Sequence, residues 1–266
     1  MDSKINVENL KKVKNIIAIG SGKGGVGKST VAVNLAASFA KKGFKVGLLD
    51  ADIYGPSIPK MMGNDTEPIV TENLMIPQIA HGIKFMSMGF FAKNDKPLIW
   101  RGPMAHKAIV QLLTQVDWGE LDILLVDLPP GTSDVHISLV QTVPVTGAVI
   151  VSTPQDVGMT ISMKTLRMFQ ETKTPILGII ENMSYHICSH CNGREEIFGH
   201  GGAKKASQSL EVPFLGEIPL DMKIRVHSDD GVPLNLREGN ESLSKSYDEI
   251  SQKLSEQINL QRNVPC

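Results

Sequence analysis

A glycine-rich stretch near the N-terminus, GSGKGGVGKST, contains two lysines. The segment from Gly22 to Ser29 has the spacing G-x-x-x-x-G-K-S of a phosphate-binding P-loop. Glycine lets a backbone approach a phosphate closely, and the start of the next helix offers free N–H groups. Within this pattern Lys28 meets the β- and γ-phosphates, and the Ser29 hydroxyl faces Mg²⁺. The spacing therefore predicts a nucleotide site, and it assigns no role to Lys23 at the beginning of the loop.

Three aspartates that follow apolar runs could serve the same site. Asp127, in LLVDLPPG, has the position of a Walker B carboxylate, which holds Mg²⁺ through water. The Pro-Pro-Gly after it suits a mobile loop that senses the γ-phosphate. Asp50 and Asp52 follow the run in LLDADIYGPS, and a carboxylate near a γ-phosphate can orient or partly deprotonate the attacking water. For either of these two residues alone, an exposed loop carboxylate is the simpler interpretation.

A cysteine pair is the second chemical feature. Cys188 and Cys191 lie in the polar segment YHICSHCNGREEIFGHGG, and the only other cysteine is Cys266. Three cysteines are too few for a disulfide framework, and a C-x-x-C spacing in a reducing compartment indicates metal binding or redox chemistry. Two thiolates do not close a zinc or 4Fe–4S site, because both usually take four ligands, whereas two chains together provide four. The three histidines of the segment receive no role.

The overall composition limits the class of protein. The chain has 266 residues, of which 41% are hydrophobic and 21% charged, and a formal net charge of −1; these values are ordinary for a globular protein. That charge gives no electrostatic reason to expect nucleic acid. No apolar run approaches the roughly 18 to 20 residues of a membrane span, and the start MDSKINVENLKKVKN has no apolar segment of signal-peptide type. We therefore expect a cytoplasmic protein with no nucleic-acid and no membrane partner.

Apolar, β-branched runs alternate with helical patterns along the chain. The run NIIAI leads directly into the P-loop, as a buried parallel strand does, and STVAVNLAASFAKKG has the pattern of the helix that follows. Further strands are expected within residues 45–50, 122–131, 147–154, 175–183 and 213–221, and helices at 157–171 and 241–262. Residues 59–120, where glycine and proline are scattered, are expected to form loops and short helices. The alternation predicts an α/β fold, a P-loop NTPase with a mostly parallel sheet flanked by helices on both faces.

The chain has no internal repeat and no low-complexity linker, so we interpret it as one domain. Residues 1–14 are expected to form a short N-terminal extension, and residues 257–266 a C-terminal tail. The P-loop ATPase domain then covers residues 15–256 and includes the C-x-x-C loop at residues 184–200.

The loop GKGGVGKST resembles the deviant Walker A motif of P-loop ATPases similar to MinD, ParA and the nitrogenase iron protein. In that group the extra lysine, here Lys23, reaches across a dimer interface to the partner's nucleotide, where a cation can stabilise the charge of phosphoryl transfer. The resemblance implies that hydrolysis depends on dimerisation. It also implies that Asp52 positions the attacking water, that residues 127–131 form switch II, and that Asn182 in IIENM pairs with adenine.

Together, the P-loop and this resemblance imply a set of site residues. The nucleotide-binding residues are Gly22, Lys23, Gly24, Gly25, Val26, Gly27, Lys28, Ser29, Thr30 and Asn182. The catalytic residues are Lys23, Lys28, Asp52 and Asp127, and Mg²⁺ is bound through Ser29 and Asp127.

An ordered series of motifs extends the resemblance over almost the whole chain. A deviant Walker A, DADIYGPS, DLPPGTSD, ENMS and C-x-x-C, in this order, are similar to the Mrp/ApbC iron–sulfur cluster carrier ATPases, also called Nbp35/Cfd1-type. This resemblance implies a homodimeric ATPase with slow intrinsic turnover. The dimer would hold a labile 4Fe–4S cluster between two Cys188–Cys191 pairs and pass it to apo iron–sulfur client proteins. The implied cofactors are ATP, Mg²⁺ and the bridging cluster.

The chain departs from that family pattern at two places. No cysteine precedes Cys188, whereas long-form members carry a further N-terminal four-cysteine cluster. Ser189 and His190 separate the two cysteines where proline and histidine are common, which changes the stiffness of the loop more than its ligation.

Other functions remain open at this point. A MinD-like membrane-site selector needs a basic amphipathic C-terminal helix, but SYDEISQKLSEQINLQRNVPC is mixed in charge and poorly apolar. A ParA-like DNA partitioner needs basic surface patches, and neither of these two functions explains the cysteine pair. A zinc-bridged regulatory ATPase would use the same four thiolates, and the sequence does not distinguish a 4Fe–4S from a 2Fe–2S cluster.

Overall fold

An eight-stranded sheet forms the centre of the molecule. The computed structural model describes residues 8–53, 55–72, 74–91, 102–131, 134–155 and 160–260. The strands are β1 (Ile16–Ser21), β2 (Val46–Asp50), β3 (Gln78–Ala80), β4 (Ile83–Ser87), β5 (Ile123–Asp127), β6 (Gly147–Ser152), β7 (Ile176–Glu181), β8 (His186–Ile187), β9 (Arg194–Glu195) and β10 (Phe214–Glu217). The sheet has the order β10-β7-β6-β1-β5-β2-β4-β3, and its pairs are parallel except β3 with β4. Strands β8 and β9 form a separate antiparallel hairpin.

Helices cover both faces of this sheet. They are α1 (Lys28–Lys41), α2 (Ile58–Met61), α3 (Gly102–Thr114), α4 (Asp134–Thr142), α5 (Thr160–Glu171), α6 (Gly202–Ser209), α7 (Met222–Asp229) and α8 (Glu241–Gln257). The β1–α1–β2 and β4–α3–β5 connections step along the sheet in opposite directions. Because such crossovers are right-handed, α1 and α3 lie on opposite faces, and accordingly α1 contacts α2 and α8 whereas α3 contacts α4. The predicted α/β P-loop NTPase fold is confirmed.

The central strands explain why the site lies where it does. Strands β1, β2, β5 and β6 are buried along their whole length, as expected for parallel strands covered on both faces. Asp50 at the end of β2 is in register with Asp127 at the end of β5, and β1 runs beside β5 directly into the P-loop. The carboxyl ends of three adjacent strands therefore place the P-loop, Asp50 and Asp127 at the same end of the sheet. Ligands bind at this end in open α/β folds.

The expectation of loops and short helices is wrong for part of residues 59–120. This region contains β3, β4 and the 13-residue helix α3. Strand β4 is only five residues long and is stabilised by parallel pairing with β2, a long-range contact that local sequence does not reveal. Helix α3 begins with a Gly-Pro pair, which resembles a turn, although proline is also favoured in the first turn of a helix.

Both described ends of the chain pack on the domain. Residues Glu8–Lys12 form a 3-10 turn, Leu10 is 3% exposed, and Val13 pairs with Leu121. Helix α8 buries Tyr247 and Leu254 and ends before the predicted boundary at residue 262. The division into extension, domain and tail stays a prediction. Within the described ranges, no helix combines the length and the apolar character that crossing a membrane requires.

Candidate nucleotide site and cysteine hairpin

The P-loop connects the end of β1 to the start of α1 through left-handed glycines. Gly25 and Gly27 both have φ of 80°, a backbone conformation that residues other than glycine rarely adopt. Gly27 has a second constraint, because a Cβ there would collide with the amide of Asn182, whereas nothing lies within 4 Å of a Cβ at Gly25. Gly25 therefore leaves open space beside the loop backbone, whereas Gly27 makes room for the Asn182 amide.

Lys28, Ser29 and Asp127 meet at the base of this loop. The Lys28 ammonium lies 2.6 Å from Asp127 Oδ1, and the Ser29 hydroxyl donates to Asp127 Oδ2 at 2.6 Å. Lys28 is 6% exposed and Asp127 is fully buried. Burial raises the pKa of the Asp127 carboxyl, and Lys28 opposes that rise. In this conformation the Lys28 ammonium neutralises the Asp127 carboxylate, and the predicted roles of both residues in nucleotide binding stay predictions.

The segment after β2 faces the same cleft. A cleft of about 230 Å³ is lined by the P-loop, Asp52, Gly55, Ser57, Met61 and Pro130. Asp52 is half-buried, and its carboxylate accepts the N–H of Gly55 at 3.3 Å. The structure therefore brings Asp52 together with Lys23, Lys28 and Ser29 around one cleft, although their catalytic roles stay predictions.

Asp50 differs from the simpler interpretation of an exposed loop carboxylate, because it is fully buried. Burial and the nearby Asp127 carboxylate raise the pKa of Asp50 to about 7. Sequence reasoning assigned Asp50 no separate role. The sequence signal that could have indicated a buried Asp50 is its position directly at the end of a continuous apolar run, which predicts a strand buried on both faces.

Lys23 and Asn182 lie on different sides of the P-loop. Lys23 is exposed and lines the cleft, and its contact with a partner's nucleotide stays a prediction. Asn182 is 6% exposed; its side-chain amide donates to the Val26 carbonyl at 2.7 Å, and its backbone N–H donates to Ser152 at 2.8 Å. In this conformation Asn182 supports the P-loop from beneath, and its pairing with adenine stays a prediction.

The cysteine pair lies at the tip of the β8–β9 hairpin. The Cys188 N–H donates to the Gly193 carbonyl, and the Cys188 carbonyl accepts the Asn192 N–H, each at 2.9 Å. Cys188 is half-buried, Cys191 is exposed, and neither forms a disulfide. Backbone N–H groups of His190 and Cys191 point at the Cys188 sulfur and lower the pKa of its thiol. The hairpin thus presents two thiols at the surface, one of them disposed to ionise.

A polar cluster fixes the base of this hairpin to the domain. The Arg194 guanidinium lies 3.1 Å from the Glu217 carboxylate and stacks 3.9 Å above the ring of Tyr185. The His200 imidazole lies 3.7 Å from Glu217. Ligand atoms of Glu181, His200 and Glu217 lie close enough to hold a metal ion. However, the Glu181 carboxylate already accepts three hydrogen bonds, two of them from the N–H groups at the start of α6. We therefore interpret the cluster as an anchor, that is, as a set of contacts that attaches the cysteine hairpin to the domain. Cys266 lies outside the described residues.

Comparison with known proteins identifies the group to which these features belong. The sequence family described as ParA, NUBPL iron-transfer P-loop NTPase, matches residues 12–255. The chain belongs to this family. It is 48% identical over 257 residues to "Iron-sulfur cluster transfer protein NUBPL" of Dictyostelium discoideum, a match that covers 96% of this chain and 80% of that protein. It is 47% identical over 261 residues to "Iron-sulfur cluster carrier protein" of Haemophilus influenzae, covering 97% and 70%.

A solved structure is also similar to this chain. The nucleotide-binding protein of Archaeoglobus fulgidus, determined in complex with ADP, is 42% identical and superposes with a TM-score of 0.77 over 87% of this chain and 91% of that chain. The sequence-based prediction of an iron–sulfur carrier in the deviant Walker A group is confirmed at the level of the family. The likeness to Nbp35/Cfd1-type members in particular stays a prediction.

Proposed function

We propose that this protein is an ATP-hydrolysing carrier that binds an iron–sulfur cluster between two subunits and transfers it to apo client proteins. The observation that carries the proposal is the Cys188–Cys191 pair, which is presented at the tip of an exposed hairpin of a chain that also has a complete P-loop site. One chain offers two thiolates at this tip, and a 4Fe–4S cluster usually takes four. A symmetric dimer brings the same hairpin from each subunit to its two-fold axis.

Exposed apolar residues of the hairpin segment support a contact between subunits. Ile187 in β8 and Ile197 and Phe198 just after β9 are 40%, 54% and 38% exposed, and exposed apolar surface is typical of interaction sites. A cluster held at an interface is open to exchange, as a donor requires. The three cysteines and the bacterial carrier among the relatives support the cytoplasm as its compartment. We also propose that the chain is similar to the Nbp35/Cfd1-type members of the family.

The donors of the nucleotide site fit Mg²⁺-ATP. Ser29 and Asp127 offer the oxygen atoms that Mg²⁺ prefers, and Mg²⁺ neutralises charge on the phosphates. Lys28 exchanges its contact with Asp127 for the β- and γ-phosphates. Asp52 orients a water and accepts one of its protons while the water oxygen bonds to the γ-phosphorus and the bond to the β–γ bridging oxygen breaks. ADP and phosphate then leave, and Asp52 returns the proton to solvent. Lys23 of one subunit stabilises the negative charge that develops on the phosphates in the partner's site. Turnover is therefore slow without a dimer.

Reconstitution with iron and sulfide under anaerobic conditions tests the carrier function. We expect about half a cluster per chain, because four thiolates from two chains hold one cluster. Replacing either Cys188 or Cys191 by alanine should remove the cluster and its transfer while ATP binding persists. Ser189→Ala, between the two cysteines, is the matched control and should retain the cluster. A full cluster on a verified monomer, or one that survives loss of both cysteines, would contradict the proposal, and a dimer that takes zinc but no iron would favour the zinc-bridged alternative.

A further inference from the structure

The carboxylate of Asp50 is fully buried at the end of β2, and none of the roles above uses it. Asp50 ends β2 in register with Asp127, yet its contacts differ from those of Asp127. Asp127 accepts from the P-loop residues Lys28 and Ser29. Asp50 instead accepts from the segment that follows its own strand, and this segment carries Asp52.

Four donors converge on this one carboxylate. Asp50 Oδ1 accepts the Asp52 N–H at 3.2 Å. Asp50 Oδ2 accepts the N–H groups of Ser57 and Ile58 at 3.0 and 3.1 Å and the Ser87 hydroxyl at 2.9 Å. Three of these donors are backbone N–H groups from the beginning and the end of a single loop, residues 52–58. These hydrogen bonds therefore hold the loop at both of its ends.

The same contacts also start helix α2. The N-cap residue Ser57 makes no capping hydrogen bond with its own side chain. The Asp50 carboxylate takes its place, because it accepts the N–H groups of Ser57 and Ile58, which the helix itself cannot satisfy. A negative charge is favourable at that position. The hydrogen bonds to Asp50 therefore attach both ends of the loop between Asp52 and α2 to the end of β2.

We propose that Asp50 is a positioning residue for ATP hydrolysis, because it holds the loop that aims the Asp52 carboxylate into the nucleotide cleft. The inference rests on the proposed hydrolysis of ATP. Asp52, Gly55 and Ser57 of this loop all line the cleft, so a displacement of the loop displaces the residue proposed to orient the attacking water. A misplacement of about 1 Å can lower a rate by about a hundredfold.

The chemistry of the side chain makes Asp50→Asn the informative substitution. An amide has the shape of a carboxylate but only one acceptor oxygen. If that oxygen keeps the Ser57 and Ile58 contacts, the NH₂ group must face the Asp52 N–H, and two donors then oppose each other. The variant therefore loosens the Asp52 end of the loop and leaves the P-loop residues Lys28 and Ser29 in place. Ser87→Ala is the matched control, because it removes one donor from the same carboxylate, together with the acceptor of the Gly89 N–H, and leaves the three backbone N–H donors of the loop in place.

The experiment compares nucleotide affinity with turnover in these variants. Asp50→Asn should lower kcat about ten- to a hundredfold, while the dissociation constant of a non-hydrolysable ATP analogue changes by less than about threefold. Ser87→Ala should keep kcat within about threefold of wild type. Unchanged turnover in Asp50→Asn, or an equal loss in Ser87→Ala, would overturn the inference. Wild-type protein that binds ATP without hydrolysing it would overturn the proposed function and this inference with it.

A double-mutant cycle separates positioning from a general structural role. If Asp50 acts through Asp52, adding Asp50→Asn to Asp52→Ala should leave the residual single-turnover rate unchanged, since residues that act as a unit are not additive. A second loss of the full size would show that Asp50 acts by another route and overturn the inference.

Amide hydrogen exchange on the wild-type protein tests the contacts even if a variant fails to fold. The N–H groups of Ser57 and Ile58 should exchange slowly, and that of Gly55, which has only a 3.3 Å contact within an exposed part of the loop, should exchange fast. Equal and fast exchange at all three positions would overturn the inference.

Discussion

The pairing of Lys28 with Asp127 predicts that the P-loop lysine stabilises the nucleotide-free fold as well as binding phosphate. The two groups are 2.6 Å apart, with 6% and 0% of their side chains exposed. Removing one partner of a buried pair leaves an uncompensated charge and costs about 3 to 5 kcal/mol. Lys28→Met should therefore lower the free energy of unfolding towards the lower end of that range, because the Ser29 hydroxyl still donates to Asp127.

The loss should depend on pH with a definite sign. The folded-state pKa of Asp127 is raised by burial, so the folded protein loses stability as pH rises from the unfolded pKa through the folded one. Lys28 opposes this rise in pKa, and its removal shifts the pKa further upward. The deficit of Lys28→Met relative to wild type should grow as the pH rises through the two folded-state pKa values of Asp127, because the lone carboxylate then becomes charged, and should shrink as the pH falls below them.

Urea unfolding in EDTA, followed by far-UV circular dichroism, measures this difference. Lys41→Met is the matched control, because Lys41 is 52% exposed and lies 3.9 Å from Asp248; it should change stability by less than about 1 kcal/mol. Adding Asp127→Asn to Lys28→Met should recover much of the loss, since the buried charge is then removed with its partner. A deficit below about 1 kcal/mol at about pH 8, or one that grows as the pH falls, would refute the reasoning.

Two further predictions concern the same loop. Gly27→Ala should weaken ATP binding more than Gly25→Ala, because both positions have φ of 80° but only a Cβ at Gly27 meets the Asn182 amide; equal dissociation constants from titration of a fluorescent ATP analogue would contradict this. Lys23→Ala should keep ATP affinity and lose hydrolysis, and mixing it with Asp52→Ala should restore part of the activity, because one composite site then combines both intact residues. No recovery in confirmed mixed dimers would count against action in trans.

The motifs with fixed spacing were predictable from the sequence. A P-loop binds phosphate through local backbone geometry, so Gly22 to Ser29 could be identified without knowledge of distant contacts. The strands around the site are buried on both faces and read as continuous apolar runs. The C-x-x-C spacing likewise predicted a ligand pair, because two thiols three residues apart can reach one centre.

The features that failed or remained open depend on contacts between distant segments. Strand β4 is short and is defined by its pairing with β2, some 37 residues earlier at Asp50 and Ser87. The anchor of the cysteine hairpin depends on Glu217, which lies 23 residues after Arg194. Neither pairing has a local signature, because register and ion pairing are properties of the assembled sheet.

Asp50 and Asp52 illustrate the boundary between the two kinds of information. The sequence by itself determined that two carboxylates follow a buried strand near a P-loop, because the apolar run and the motif are local. The local pattern alone assigned both the same interpretation, and the resemblance to the deviant Walker A group singled out Asp52. Only the tertiary structure showed that their surroundings differ, since the parallel alignment of β2 with β5 buries Asp50 beside Asp127, whereas Asp52 lines the cleft. Within a strand, alternate side chains point to opposite faces of the sheet, which a sequence pattern can reveal. Asp52 lies beyond the end of β2, where the elements that pack nearby decide burial and hydrogen-bond partners.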